Sequence, residues 1–269
     1  MTSAIPIRHP VPASSRRLLR AILILIYAAI AGSLTSAVDP PLTSAAVTAA
    51  PLKMHVISGS KEYLSEASLK PFLAALENDY HVAVSASWGT DGGSNLENLG
   101  ALENADVLLI FTRRMKLPEE QMKPIRAHWE AGRPIVGIRT ASHAFQQPDN
   151  EVFDRKILGG SHQSHWADEP VKVTNQPDQA GHPVLRGVGP FVSRKLYKRG
   201  DLLNDVTILQ TGDNGKDTQP VTVTRVHHGG RIVYTSLGVP EDFKDNNFRR
   251  LLINALFWTT HRDPERMRK

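Results

Sequence analysis

Segments with strand periodicity and segments with helix periodicity alternate along this chain from Leu52 onward, and this alternation constrains its fold more than any other feature. Residues 53–58 are rich in β-forming side chains, whereas residues 62–76 carry apolar side chains at helical spacing. Residues 106–111 and 133–138 are nearly continuous apolar runs, which are typical of strands buried on both faces of a parallel sheet. The pattern predicts an α/β fold in which helices cover both faces of a mainly parallel sheet.

The carboxyl-terminal part of the sequence predicts a β-hairpin and a closing helix. Residues 221–226 and 231–235 flank a His-His-Gly-Gly segment, in which glycine accepts the positive φ that a tight turn requires. Residues 248–258 put apolar side chains on one face, as an amphipathic helix does. Three shorter strands and one more helix are predicted at residues 81–86, 171–174, 206–209 and 118–131.

Residues 1–37 have the composition of an export signal. Arg16, Arg17 and Arg20 precede an apolar run at residues 21–32, which is shorter than the roughly 20 residues that span a bilayer. We therefore expect export to the periplasm or the extracellular space. The alternative is that an uncleaved N-terminal segment anchors the protein in a membrane.

The remainder of the chain divides into a spacer, a domain and a tail. Residues 38–51 are rich in Ala, Ser, Thr and Pro and predict a flexible spacer. The folded domain is then expected at residues 52–262, with a short tail at residues 263–269.

The positive charge of the chain belongs to its leader. The whole sequence has a net charge of +5, but residues 1–37 hold four arginines and no acid, which leaves 28 basic against 27 acidic residues. A domain this close to neutrality does not attract nucleic acid over a distance. We expect no nucleic-acid partner and no membrane contact except through the N-terminal segment, and the sequence does not specify an oligomeric state.

Four ordered blocks of sequence resemble the trehalose-utilisation (ThuA-like) family. They are residues 134–145 (PIVGIRTASHAF), 158–165 (LGGSHQSH), 230–238 (GRIVYTSLG), and the pair 240–243 (PEDF) and 248–254 (FRRLLIN). The resemblance implies the fold of class I glutamine amidotransferases, which is a flavodoxin-like sheet of mainly parallel strands with helices on both faces. It also implies a role in the catabolism of trehalose, related disaccharides or their 3-keto derivatives.

Amidotransferase chemistry is not available to this chain. Those enzymes place a cysteine nucleophile in the turn after the strand, whereas this chain has no cysteine and has Arg139 near that position. A guanidinium stays protonated and is not a nucleophile. Arg139 either clamps a carboxylate, a phosphate or a developing oxyanion, or it ties the turn to a neighbouring loop. Ser142 lies in the same turn without the G-x-S-x-G pattern of a nucleophile elbow, so capping a helix is favoured over nucleophilic catalysis. Ser142 is also a candidate for binding substrate.

Three histidines, His143, His162 and His165, are the strongest candidates for a catalytic site. The predicted fold gathers them at the carboxyl edge of the sheet, where open parallel sheets bind ligands. The spacing of His162 and His165 puts both imidazoles on one face if the segment forms a helical turn. The trio suits a zinc-like divalent metal, metal-free catalysis or binding, or a structural role, and the sequence leaves these open. No cofactor other than such a metal is indicated.

Three more residues near the same edge are candidates for binding substrate. Trp166 offers an apolar face to a sugar, although packing is the commoner role of a single tryptophan. Glu241 and Asp242 follow a predicted strand and form a pair of acids for acid–base chemistry, or they cap the final helix, which we favour. Many family members have histidine where this chain has Val239, so a site that needs that histidine is incomplete here.

These residues support three hypotheses about function. The first is an exported enzyme that processes a small glycoside at the edge formed by Arg139 and the three histidines. The second is a non-catalytic domain that binds a carbohydrate or docks a partner on the same scaffold, since a fold does not dictate a function. The third is a hydrolase that depends on a divalent metal at the same edge.

Overall fold

The computed structural model describes residues 50–267. The predicted export signal lies outside the described residues, as does the predicted spacer except for Ala50 and Pro51. The strands are β1 (Leu52–Gly59), β2 (Val82–Trp88), β3 (Val107–Thr112), β4 (Ile135–Ile138), β5 (His162–His165), β6 (Pro170–Asn175), β7 (Phe191–Arg194), β8 (Tyr197–Arg199), β9 (Thr207–Asp213), β10 (Thr218–His227) and β11 (Gly230–Thr235). The helices are α1 (Ser65–Asp79), α2 (Glu119–Glu130), α3 (Asp149–Glu151), which continues as a π-helical segment (Val152–Ile157), and α4 (Asn246–Thr259). Over residues 50–267 no helix is both long enough and apolar enough to cross a membrane.

Nine strands form one twisted sheet with the order β2-β1-β3-β4-β11-β10-β9-β6-β7. The strands from β2 to β11 in this order are parallel, and the four that follow are antiparallel. All six residues of β3 are buried, as expected for a strand covered on both faces. The hairpin of β10 and β11 closes with His227 opposite Gly230. The predicted α/β sheet and the carboxyl-terminal hairpin are therefore confirmed.

Helices pack on both faces of this sheet, as predicted. The apolar residues of α1 and α4 join one hydrophobic cluster, and those of α2 and the π-helical segment join the other. Alternate residues of β3 serve the two clusters: Leu109 packs in the first and Leu108 in the second. The core is thus split by the sheet into two layers, which is the arrangement that a strand buried on both faces requires.

The strands that the sequence did not reveal are short or polar. Strands β5 and β8 pair with each other in a separate antiparallel sheet, which we call the ribbon, and β7 adds the outer strand of the antiparallel half. Strand β5 reads His-Gln-Ser-His, and it lacks the apolar alternation by which a strand is normally predicted. Helix α1 also begins three residues later than predicted, because Leu64 takes a left-handed φ of 47° before it.

Candidate active site

The turn after β4, residues Arg139–His143, forms a tight elbow at the carboxyl edge of the sheet. Arg139 has a φ of 51°, a left-handed conformation that costs a non-glycine residue about 1–2 kcal/mol. The Tyr234 hydroxyl donates to the Arg139 carbonyl at 2.9 Å and holds this conformation. The turn that follows β4 is therefore strained, and an arginine occupies its strained position.

The Arg139 guanidinium serves the fold. The side chain is 1% exposed and donates to the carbonyl of Ser236, which follows β11. It also donates, from Nη2 at 2.7 Å, to the carbonyl of Lys195, which lies between β7 and β8. Its Cζ atom lies 4.5 Å from the ring centroid of Tyr63 and 4.2 Å from that of Tyr197. Of the two roles that the sequence left open, these contacts support the tie between neighbouring loops.

The ribbon brings two of the predicted histidines to one face. His162 pairs with Arg199, and His165 pairs with Tyr197, across the two strands. The common face of His162 and His165 was expected only if the segment formed a helical turn, and the segment is a strand. Side chains three residues apart in a regular strand would point to opposite faces. An irregularity in the pairing between His162 and Ser164 gives β5 one extra residue relative to β8, and this returns the side chains of His162 and His165 to the same face of the ribbon.

The elbow and the ribbon place His143 and His162 in contact, and we call these two residues the imidazole pair. Their ring centroids are 4.4 Å apart with the planes inclined by 27°. The Tyr197 ring lies 4.6 Å from His162 and 6.0 Å from His143 and covers the pair from the ribbon side. Nδ1 of His143 is 3.2 Å from the Ser142 hydroxyl, so Ser142 orients the His143 imidazole. The helix cap that we expected from Ser142 is not formed.

Both imidazoles are neutral at pH 7. Burial lowers the pKa of His143 to about 2, assisted by the neighbouring His162 and by Arg113. Burial also lowers the pKa of His162 to about 4, assisted by Arg199. A neutral imidazole has one N–H donor and one lone pair, so each ring offers a donor and an acceptor.

His165 stands apart from the imidazole pair. Its side chain is exposed, and its Nδ1 lies 2.9 Å from the Trp166 carbonyl oxygen. Among residues 50–267 no three His, Asp or Glu side chains are placed to hold a metal ion together. The geometry therefore gives no support to the predicted metal site at His143, His162 and His165.

Trp166 has the packing role that was favoured for it. The half-buried ring packs against the hydrophobic cluster of α1 and α4, and its Nε1 donates to Asp217 at 3.1 Å. The Lys198 ammonium lies 3.7 Å from the ring centroid and covers one face of the indole. That face is not free to stack on a sugar.

The two acids after β11 differ in their surroundings. Asp242 is 1% exposed, and its Oδ2 accepts from the backbone of Gly238 at 2.7 Å and from the Ser193 hydroxyl at 2.9 Å. Burial raises the pKa of Asp242 to about 6. Glu241 is exposed. Neither residue caps α4, because Asp245 does so by accepting from the backbone of Asn247, which corrects the favoured prediction.

Two charged residues at the site, Arg199 and Asp154, were not predicted from the sequence. Arg199 is 8% exposed, its Cζ lies 4.4 Å from the ring centroid of Tyr234, and within residues 50–267 none of its guanidinium nitrogens has a hydrogen-bond partner. Asp154, in the π-helical segment, accepts from the backbone of His162 at 2.6 Å. The sequence signal was the Gly-Gly motif, since a Cβ at Gly160 would overlap the Arg199 guanidinium.

Comparisons with known proteins agree with this architecture. The solved structures that match include a ThuA-like protein from Bacteroides uniformis ATCC 8492, with 21% identity and a TM-score of 0.58 over 80% of this chain and 94% of that one. A ThuA-like protein from Parabacteroides merdae ATCC 43184 has 17% identity and a TM-score of 0.63 over 81% and 94%. A β-galactosidase from Rahnella sp. R3 has 14% identity and a TM-score of 0.53 over 77% of this chain and 31% of that one. At these identities the likeness establishes the fold.

The family assignment comes from the sequence. No match to a curated protein is significant. A profile of the ThuA family, described as trehalose utilisation, matches residues 53–259, which is most of the chain. This protein therefore belongs to the trehalose-utilisation (ThuA) family, whose members are related to carbohydrate utilisation.

Proposed function

We propose that this protein binds a small glycoside, such as trehalose or a 3-keto disaccharide, at the imidazole pair and hydrolyses its glycosidic bond. The observation that carries the proposal is the contact of two neutral imidazoles, 4.4 Å apart, at the carboxyl edge of the sheet. Ligands of open α/β sheets bind at that edge. Membership of a carbohydrate-related family supports a sugar as the ligand.

The imidazole pair has the groups that hydrolysis needs. Within the described part of the chain, Nδ1 of His162 is buried without a hydrogen-bond partner. In the tautomer of the neutral ring that carries its proton on Nε2, this nitrogen accepts a proton. We assign His162 as the general base: it takes a proton from the attacking water and later releases that proton to solvent, while the leaving oxygen takes a proton from a second water molecule. The water oxygen bonds to the anomeric carbon as the glycosidic C–O bond breaks. His143, fixed by Ser142, holds the substrate through a hydrogen bond.

The cellular location is part of the proposal. The arginine cluster and the short apolar run in residues 1–37 support export. Fractionation of cells, followed by amino-terminal sequencing of the recovered protein, tests it. Export predicts protein outside the cytoplasm that lacks its leader, whereas full-length protein in the membrane fraction would favour the anchored alternative.

Binding and turnover test the site directly. The melting temperature of the purified protein is measured with trehalose, 3-keto trehalose and divalent metals, and product is followed by chromatography. A ligand at 100 times its Kd stabilises the native state by about 2.7 kcal/mol. We expect a shift with sugar that His162→Ala abolishes, together with turnover that it also abolishes. His182→Ala is the matched control, since His182 packs on Trp258 with ring centroids 4.9 Å apart.

The other outcomes of this experiment separate the remaining hypotheses. Sugar binding without product would identify a non-catalytic binding domain. A shift and turnover that require added zinc or manganese would identify a metal-dependent hydrolase. Absence of any response to sugars would contradict the proposal.

A further inference from the structure

A buried positive charge without a protein partner lies beside the imidazole pair. The Arg199 side chain is 8% exposed, and in the described residues Nε, Nη1 and Nη2 all lack a hydrogen-bond partner. No ion pair involving Arg199 is present among those residues either. Burying an unpaired charge is strongly unfavourable, so a chain that keeps one at this place gains something from it.

The residues around Arg199 hold its guanidinium on the side of the ribbon that carries the imidazole of His162. Arg199 is directly opposite His162 in the ribbon, and opposite residues of an antiparallel pair project from the same face. The Tyr234 ring covers one side of the guanidinium, with 4.4 Å from Cζ to the ring centroid. Gly160 makes room for it, because any Cβ there would overlap Nη2.

The nearby acid does not neutralise this charge through contact. Asp154 is the carboxylate that faces Arg199, and its Oδ2 already accepts from the His162 backbone at 2.6 Å. Its Oδ1 has no partner within residues 50–267. The other cations near the imidazoles are Arg113, which pairs with Asp91 and Glu62, and the exposed Arg114. Arg139 also lies near both rings and donates to the carbonyls of Ser236 and Lys195. Among residues 50–267, the Arg199 guanidinium therefore keeps N–H donors that no acceptor uses.

We propose that Arg199 binds a carboxylate of the substrate, so that the preferred ligand is an acidic sugar such as an aldonate or a uronate unit. This inference rests on the proposed function, because it names the substrate class of the same site. A planar guanidinium with unused donors matches a carboxylate in a bidentate pair. A carboxylate accepts from two of these donors and brings a single negative charge, whereas a phosphate dianion would bring a second negative charge close to Asp154.

The ribbon provides the route to this residue. The guanidinium nitrogens are shielded from solvent, so binding requires the ribbon to open. Strands β5 and β8 pair only with each other in the described structure, and their displacement leaves the nine-stranded sheet intact.

Matched pairs of neutral and acidic sugars test the inference. Binding of lactose against lactobionate, and of glucose against glucuronate, is measured by titration calorimetry on the full protein. We expect the acid of each pair to bind at least tenfold more tightly. Arg199→Gln reduces the ratio of the affinity for lactobionate to that for lactose to about one, while Arg199→Lys retains part of the difference. Arg231→Gln is the matched control, since Arg231 also stacks on an aromatic ring, with Cζ 4.6 Å from the Trp258 centroid.

The possible failures are distinguishable. Equal binding of lactose and lactobionate by the wild-type protein overturns the inference and leaves the carbohydrate proposal standing, even if the Arg199 variants do not fold. Binding of acetate as tightly as lactobionate, with no binding of neutral sugars, keeps an anion site at Arg199 and overturns the acidic-sugar claim. Binding of neither sugar type overturns the inference, and the same absence with trehalose and 3-keto trehalose overturns the carbohydrate proposal as well.

Discussion

The elbow and the ribbon each bury an arginine against a tyrosine ring, yet the two arginines are treated differently. In the elbow, Arg139 donates to the carbonyls of Ser236 and Lys195, and only its Nε lacks a partner within residues 50–267. In the ribbon, Arg199 makes no such hydrogen bond. The Arg139 guanidinium is therefore hydrogen-bonded within the fold, whereas the Arg199 guanidinium has N–H donors that no acceptor among residues 50–267 uses.

The largest effect that separates the two regions is expected at the elbow. Arg139→Gln removes two charge-assisted hydrogen bonds, one to the buried carbonyl of Ser236 and one to the carbonyl of the half-buried Lys195. We expect the free energy of unfolding to fall by about 3–5 kcal/mol, measured by urea denaturation. Arg155→Gln, at an exposed position in the π-helical segment, is the control. A loss below about 1 kcal/mol at Arg139 would remove the structural role argued for it.

Gly160 tests whether the ribbon is built around the Arg199 guanidinium. Gly160→Ala places a methyl group against that guanidinium, and we expect a loss of about 2 kcal/mol. In an Arg199→Ala background the loss shrinks to a few tenths of a kcal/mol, because the remaining near neighbour is Leu202 at 3.0 Å. A double-mutant cycle measures this coupling. Additive effects would show that Gly160 is required for another reason.

The imidazole pair makes the stability depend on pH. The folded pKa of His143 is lowered to about 2 by burial, against about 6.5 when unfolded. Below pH 6.5 the unfolded chain binds a proton at His143 that the folded chain does not. This residue therefore costs up to about 1.4 kcal/mol of stability for each pH unit of acidification.

His143→Asn removes that contribution, so the variant loses less stability than the wild type between pH 6.5 and pH 4.5. Urea denaturation at several pH values measures the difference in slope. The exposed Gln163→Ala keeps the wild-type slope and serves as the control. Parallel profiles for His143→Asn and the wild type would mean that the His143 ring is not kept neutral by the fold.

The smallest effect is expected where the charge has no partner. Arg199→Met exchanges an unpaired guanidinium for an apolar side chain, and such exchanges are often neutral or stabilising. We expect the free energy of unfolding to change by less than about 1 kcal/mol or to rise, as measured by urea denaturation. A loss of stability as large as that of Arg139→Gln would mean that Arg199, like Arg139, stabilises the fold.

The parallel half of the sheet could be predicted because its strands are apolar and continuous. Residues 106–111 and 133–138 read as buried strands, and β3 and β4 lie there within one or two residues at each end. The ribbon could not be predicted in this way. His-Gln-Ser-His has no apolar alternation, and its irregular register is set by pairing with β8, which is distant in sequence.

Sequence reasoning located part of the candidate site. His143 and His162 lie together at the predicted edge, but His165 turns to the Trp166 carbonyl, and Arg139 is buried in the fold. The roles of Tyr197 and Arg199 depend on the pairing of β5 with β8, which no local pattern specifies. Asp242 was expected to cap α4 because acidic residues are favourable at the amino-terminal end of a helix. Asp245, which is three residues nearer to α4, forms the cap.

A carbohydrate site at the imidazole pair is tested most directly by observing the imidazole nitrogens of His143 and His162 by NMR at pH 6 during titration with trehalose and lactobionate. We expect both rings to be neutral in the free protein and their resonances to move on addition of sugar, while those of His182 do not. Protonated rings at pH 6, or resonances that stay fixed at saturating sugar, would contradict a carbohydrate site at the imidazole pair.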